Sequence, residues 1–191
     1  MARCKAFDED ETLQRATLLF QAKGFEATSI QDLVEHLGIN RQSLYDTYGD
    51  KQALWLASLE RYRRAGWQAF AELLESRMPL RKALGTLFGV ALDRLFSPDG
   101  AACLMSLAAL ERAGDDPETR ACVQDNLKRF FALFEARLRR AQADGELGPG
   151  HDPAALARYF QNAFCGLQVT VRSGASRDDL EDIVRVTLSV L

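Results

Sequence analysis

Residues 28–51 alternate helix-starting and helix-stopping signals so densely that only short helices fit between them. Thr28 with Gln31 predicts a capping-box start, in which each side chain satisfies the other residue's backbone N–H. Ile30, Leu33, Val34 and Leu37 recur at i, i+3, i+4 and i+7, the spacing of one buried helix face, and Gly38 ends that helix. Ile39 plugs the turn. Asn40 then caps a second short helix over about Arg41 to Tyr48, anchored by Leu44 and Tyr48 one turn apart. Gly49 stops it, and Asp50 caps the helix that follows. Segments this short do not hold together alone in water, so neighbouring helices must support them.

The remaining punctuation is also helical. Carboxylates at Asp8–Glu11 suit a helix start, Leu13, Ala16, Leu19 and Phe20 form its buried stripe, and Gly24 closes it. From Lys51 the pattern predicts about seven turns to near Arg77, where Met78-Pro79 breaks the helix. Leu80–Phe96 follows, then a SerProAspGly turn at 97–100, then a segment from Ala101 to Leu110 that is apolar nearly all round and belongs in a domain interior. Asp116-Pro117 and Asp152-Pro153 each pair an N-cap with proline at the first helical position. The first opens a long helix to about Asp144, striped by Val123, Leu127, Phe130, Phe131, Phe134 and Leu138. Arg137, Arg139 and Arg140 near its end complement the negative helix pole and are expected to face solvent. Ser176 with Asp179 caps a last helix. No alternating run is long enough for a convincing strand. The expectation is an all-α fold of about nine helices, three small and six larger.

Composition narrows the class. With 191 residues, 47% of them hydrophobic and 27% charged, the chain suits a soluble globular protein. No apolar run approaches the roughly 18–20 residues that span a bilayer, and the acidic N-terminus does not read as a secretory signal, which predicts a cytoplasmic protein with no membrane partner. Cys4, Cys103, Cys122 and Cys165 are scattered without a CxxC pair, and His36 and His151 are the only histidines, so no metal, cofactor or disulfide framework is expected. The net charge of −3 argues against a broadly basic nucleic-acid coat, and residues 1–51 hold six bases against nine acids. A reading head that works through a few placed cations and helix ends survives that balance, with weak non-specific affinity.

A short helix, a turn and a second short helix whose leading side chains point outward is how a protein presents a helix end to the DNA major groove. Arg41 can give bidentate bonds to guanine and Gln42 can read adenine. Ser43 or Thr47 can meet a base edge or a phosphate, while Tyr45 and Lys51 suit phosphates. Thr28 is placed in the same contacting set. Asp50 is explained as a cap; Asp46 either accepts from cytosine or merely caps or faces solvent. Residues 8–55 resemble the N-terminal domain of the TetR family of transcriptional regulators, through LeuPheGlnAlaLysGlyPheGluAlaThrSerIle (19–30), LeuGlyIleAsnArgGlnSerLeuTyr (37–45) and TyrGlyAspLysGlnAlaLeu (48–54). The resemblance implies that Tyr45 and Lys51 hold the DNA backbone and that Arg41 to Ser43 lie against bases.

The expected organisation is a helix-turn-helix DNA-binding domain at 1–51 and a larger effector-binding and dimerisation domain at 52–191. The expected function is a repressor released from a palindromic double-stranded operator by a small apolar or aromatic effector. Trp67, Phe70, Phe88, Phe96, Cys103, Met105, Phe130, Phe134, Phe164 and Gln168 are the candidate effector contacts, with Gln68 a further polar candidate; each also suits an ordinary core position. The striped last two helices form the expected homodimer surface, so that cutting after Gly174 should yield monomers. Cys103, at the start of the apolar helix, is either a small buried hydrophobe or a thiol that senses electrophiles or oxidants. An enzyme is not expected, for want of clustered acid–base groups or a nucleophile motif. A helical protein-interaction module is the remaining alternative.

Overall fold

The computed structural model describes residues 7–97 and 103–191, which form nine α-helices with no strand among them. They are α1 (Glu9–Lys23), α2 (Ile30–Leu37), α3 (Arg41–Tyr48), α4 (Lys51–Glu75), α5 (Leu80–Leu95), α6 (Leu104–Glu111), α7 (Pro117–Ala143), α8 (Pro153–Arg172) and α9 (Arg177–Leu188). The all-α class is as the punctuation predicts. The turn expected at 97–100 and the Ala101 start of the sixth helix lie, except for Ser97, outside the described residues. Among the described residues no helix is long and apolar enough to cross a membrane.

Most helix starts follow from local chemistry. Asp8 accepts from the N–H groups of Asp10 and Glu11 at 2.8 and 3.2 Å, Asn40 from Ser43 at 2.8 Å and Asp152 from Ala154 at 2.9 Å. Ser176 and Asp179 form the expected capping box. The α2 start differs by one residue. Ser29 and Asp32 make its capping box, while Thr28 is fully buried and donates its hydroxyl to the Gly24 carbonyl at 2.6 Å. The turn after Gly24, whose φ is +82°, points the Thr28 side chain inward, and the box passes to the next hydroxyl–carboxylate pair.

Contacts divide the chain into two compact units, Met1–Ala65 with Cys103–Gln124, and Gly66–Ala102 with Asp125–Leu191. In the first, Phe20, Phe25 and Trp55 form an aromatic centre, with Trp55 edge-on to Phe20 at 5.1 Å and to Phe25 at 5.4 Å. The indole N–H of Trp55 donates to the Thr119 hydroxyl at 3.1 Å. Arg15 on α1 donates to the His36 and Leu37 carbonyls at the end of α2, which ties the two helices together where intrahelical partners run out.

In the second unit Leu74, Leu84, Phe88, Phe134, Phe160 and Leu180 are among the buried side chains of one continuous core. Its α4–α5 break is capped from α7 and the loop after it. Arg140 donates to the carbonyls of Leu74, Glu75 and Ser76 at 2.9, 3.0 and 2.7 Å, Arg137 donates to the Met78 carbonyl at 2.7 Å, and the Glu146 carboxylate accepts the Leu80 N–H. This corrects the expectation for the three arginines. Arg139 alone behaves as a solvated end, paired with Glu135, whereas Arg137 is buried. The break at Pro79 leaves carbonyls with no helical partner, and the guanidinium forks supply the missing donors.

Candidate nucleic-acid interface

The outward face of α3 is built by what α3 buries. Leu44 is 0% exposed, an anchor that contributes about 1.5–3 kcal/mol by removing its side chain from water. The Tyr48 hydroxyl donates to the Glu9 carbonyl at 3.0 Å, pinning the end of α3 to the start of α1. Burial pushes the Tyr48 hydroxyl up to about 12, with Glu9, Asp10 and Asp8 adding to the effect. Ile39 is buried in the turn, as expected.

Those anchors leave Arg41, Gln42, Tyr45 and Asp46 exposed along one side of the helix, Tyr45 at 40%. Ser43 and Thr47 are half-buried beside them. The Arg41 guanidinium and the Tyr45 hydroxyl make no hydrogen bond or ion pair among the described residues, so both remain available to a ligand. Gln42 donates from Nε2 to the Asp46 carboxylate at 2.7 Å, which leaves its second N–H and its carbonyl turned to solvent. Asp46 thus orients Gln42, a role the pattern of residues did not reveal.

Lys51 opens α4 half-buried, its ammonium 4.1 Å from the centroid of the Phe25 ring. Burial lowers its pKa below the ordinary lysine value; Glu26 counters this and the Arg112 guanidinium adds to it. Arg112 lies over the same ring at 4.4 Å and pairs with Glu26 at 3.3 Å. Asp50 caps α4 by accepting from Ala53 at 2.7 Å, as expected. Thr28 does not join the face, because its side chain is enclosed and its hydroxyl is already committed.

The candidate effector residues divide between the units. Phe70 meets Phe130, Phe134 and Phe164 at centroid distances of 4.3, 5.5 and 5.5 Å, Trp67 meets Phe130 at 5.7 Å, and Phe88 meets Phe164 at 5.9 Å. Phe96 is half-buried against the same core, Gln168 is buried, and Gln68 is exposed and donates to Glu72. Cys103 and Met105 do not join this group: they belong to the first unit, where α6 packs on α1. Among the described residues no group of His, Cys, Asp and Glu is arranged to hold a metal ion.

A supported, outward-facing helix after a tight turn is the geometry of a helix-turn-helix DNA-binding regulator. Residues 13–57 match the family described as bacterial regulatory proteins, tetR family. Over its full length and that of its relative, the chain is 39% identical to the uncharacterized HTH-type transcriptional regulator YezE of Bacillus subtilis (strain 168). It is 32% identical to the HTH-type transcriptional repressor ComR of Escherichia coli (strain K12), over 97% of this chain and 90% of that one. Among solved structures, a cysteine-substituted form of the TetR family transcriptional regulator CifR, complexed with 26-bp double-strand operator DNA, superposes with a TM-score of 0.89 at 28% identity, covering 98% of both chains. The chain belongs to the TetR family of DNA-binding transcriptional regulators and is not an enzyme.

Proposed function

We propose that this protein is a homodimeric repressor that binds a palindromic operator through α3 and releases it when a small apolar or aromatic effector binds the larger part of the chain. On this reading residues 1–51 read DNA, and residues 52–191 bind the effector and the partner copy. The observation that carries it is the α3 face: Arg41 and Tyr45 are exposed and uncommitted while Leu44 and Tyr48 hold the helix in place. Arg41 and Gln42 then meet base edges, Ser43 and Thr47 meet bases or phosphates, and Tyr45 and Lys51 grip the backbone. ComR is named a repressor, and the cysteine-substituted CifR is complexed with double-strand operator DNA.

One such head contacts too few base pairs to select a site, so two must act together. Supporting the expected surface, Tyr159 and Val169 of α8 and Ile183 and Val186 of α9 are exposed apolar side chains, Val186 at 58%. Truncation after Gly174 is a poor test of dimerisation, because Leu180 of α9 is fully buried and α9 packs on α5. Substituting Ile183 and Val186 with glutamate spares that core. The deciding experiment is fluorescence anisotropy with DNA from the neighbouring genes, at several salt concentrations. Sequence-selective, salt-sensitive binding is expected; equal binding to scrambled DNA would overturn the proposal.

A second reading keeps the same DNA chemistry but makes Cys103 the sensor. Cys103 occupies the N-cap position of α6, half-buried, in the unit that carries the DNA-reading helices. Cys103→Ser should abolish release by alkylating agents; an unchanged dose response dismisses this reading.

A further inference from the structure

We infer that Lys51 and Arg112 form a two-cation clamp for DNA backbone phosphates on the Phe25 ring, and that Glu26 is the internal anion which those phosphates displace. The inference rests on the DNA-reading proposal above and adds to its contacts one residue that binds and one that competes.

Phe25, Glu26, Lys51, Gln52 and Arg112 all belong to the first compact unit. Phe25 follows the Gly24 that ends α1, Lys51 is the first residue of α4, and Arg112 caps the end of α6. Though distant in sequence, the Lys51 ammonium lies 4.1 Å and the Arg112 guanidinium 4.4 Å from the centroid of the one Phe25 ring. The negative face of an aromatic ring attracts cations and offsets part of the repulsion between them. Burial lowers the Lys51 value most, Glu26 raises it and Arg112 lowers it further, so the three charges act on one another.

Glu26 is the acid able to leave. Its side chain is 64% exposed, and its carboxylate pairs with Arg112 at 3.3 Å. The other carboxylates that act on Lys51 are committed, Asp32 to Lys23 and the α2 capping box, Glu111 to the Phe25 N–H. The Arg112 fork is loosely held. Its bonds to Glu26 and to the Gln52 side-chain carbonyl are both 3.3 Å, and its Nε has no hydrogen-bond partner. Charge-assisted bonds of full strength run at about 2.7–2.9 Å. A phosphate offers the guanidinium two acceptor oxygens at that range and returns the Glu26 carboxylate to water. Arg112 thereby joins Lys51 in holding the backbone, and contributes no base reading.

The test is anisotropy of the full-length protein on duplexes from the neighbouring genes and on scrambled DNA, between roughly 50 and 200 mM salt. Arg112→Gln should weaken both duplexes alike, by about tenfold, and flatten the salt slope by about one per reading head. Arg112→Lys keeps the charge and should keep that slope. Glu26→Gln should tighten both duplexes by about threefold, and in the Arg112→Gln background this gain should vanish. An unchanged slope in Arg112→Gln, or unchanged affinity in Glu26→Gln, overturns the clamp. So does a slope lost equally in Arg112→Lys, which would report damage to the unit instead of a lost phosphate contact. A Glu26→Gln gain that survives without Arg112 would reflect general repulsion and overturns the displacement. A parent that binds no duplex overturns the DNA-reading proposal as well, whereas a selective parent with unresponsive variants overturns the clamp alone.

Discussion

The carboxylate of Glu111, the last residue of α6, accepts the backbone N–H of Phe25 at 2.9 Å and lies directly over Gly24. A Cβ at position 24 would collide with both carboxylate oxygens, at a φ of +82° that side chains avoid. The contact fastens the turn between α1 and α2 to α6. Glu111→Ala should cost about 1–3 kcal/mol by leaving the Phe25 N–H unpaired, and Glu111→Gln less, because it keeps an acceptor. Gly24→Ala should cost more than about 1 kcal/mol. The double variant Gly24→Ala with Glu111→Ala should cost less than the sum, since the second change removes the obstacle the first one meets. Urea midpoints at constant slope check this, and strict additivity would show that the two residues do not meet.

Arg41 and Tyr45 should separate base reading from backbone holding. Arg41→Ala should cost about 1–3 kcal/mol on the preferred operator and relax selectivity at one base pair. Tyr45→Phe should weaken operator and scrambled DNA alike. Anisotropy titrations on single-base operator variants check both; a uniform loss for Arg41→Ala would place that residue on the backbone.

The Gln42–Asp46 bond makes a narrower forecast. Asp46→Ala removes both the group that orients Gln42 and a negative charge on the face proposed to meet DNA. Binding to scrambled DNA should strengthen while the ratio of operator to scrambled affinity falls. A ratio that rises or holds would mean that Asp46 does not position Gln42.

Tyr48 links the reading head to alkaline stability. Burial, aided by Glu9, Asp10 and Asp8, raises its folded value to about 12, above the roughly 10 of an unfolded tyrosine. A raised folded value means that the contribution is complete below about pH 10 and is lost as pH climbs through about 12. Tyr48→Phe should cost about 0.5–1.5 kcal/mol at neutral pH by removing the bond to Glu9, and should flatten the alkaline limb of stability against pH. Denaturant titrations from neutral pH upward test this; an unchanged limb would assign it to other groups.

Near Asn40 the sequence itself was sufficient, because a cap depends on bonds spanning two to four residues: Asn40 to Ser43, Asp152 to Ala154 and Ser176 to Asp179 all stand where local chemistry puts them. The exposed face of α3 was legible for the same reason, since Leu44 and Tyr48 one turn apart define which side is buried. Thr28 marks the limit of that reading. Thr28-Gln31 and Ser29-Asp32 are both plausible boxes, and only the direction in which the chain leaves Gly24 chose between them. Tertiary structure alone decided that Arg140 caps α4 instead of its own helix, that Glu111 holds Phe25, and that Cys103 and Met105 part from the aromatic group around Phe70. A guanidinium or carboxylate at a helix end satisfies the same local rule whether its partner is solvent or a backbone group more than sixty residues away. Which one it meets depends on how the helices pack.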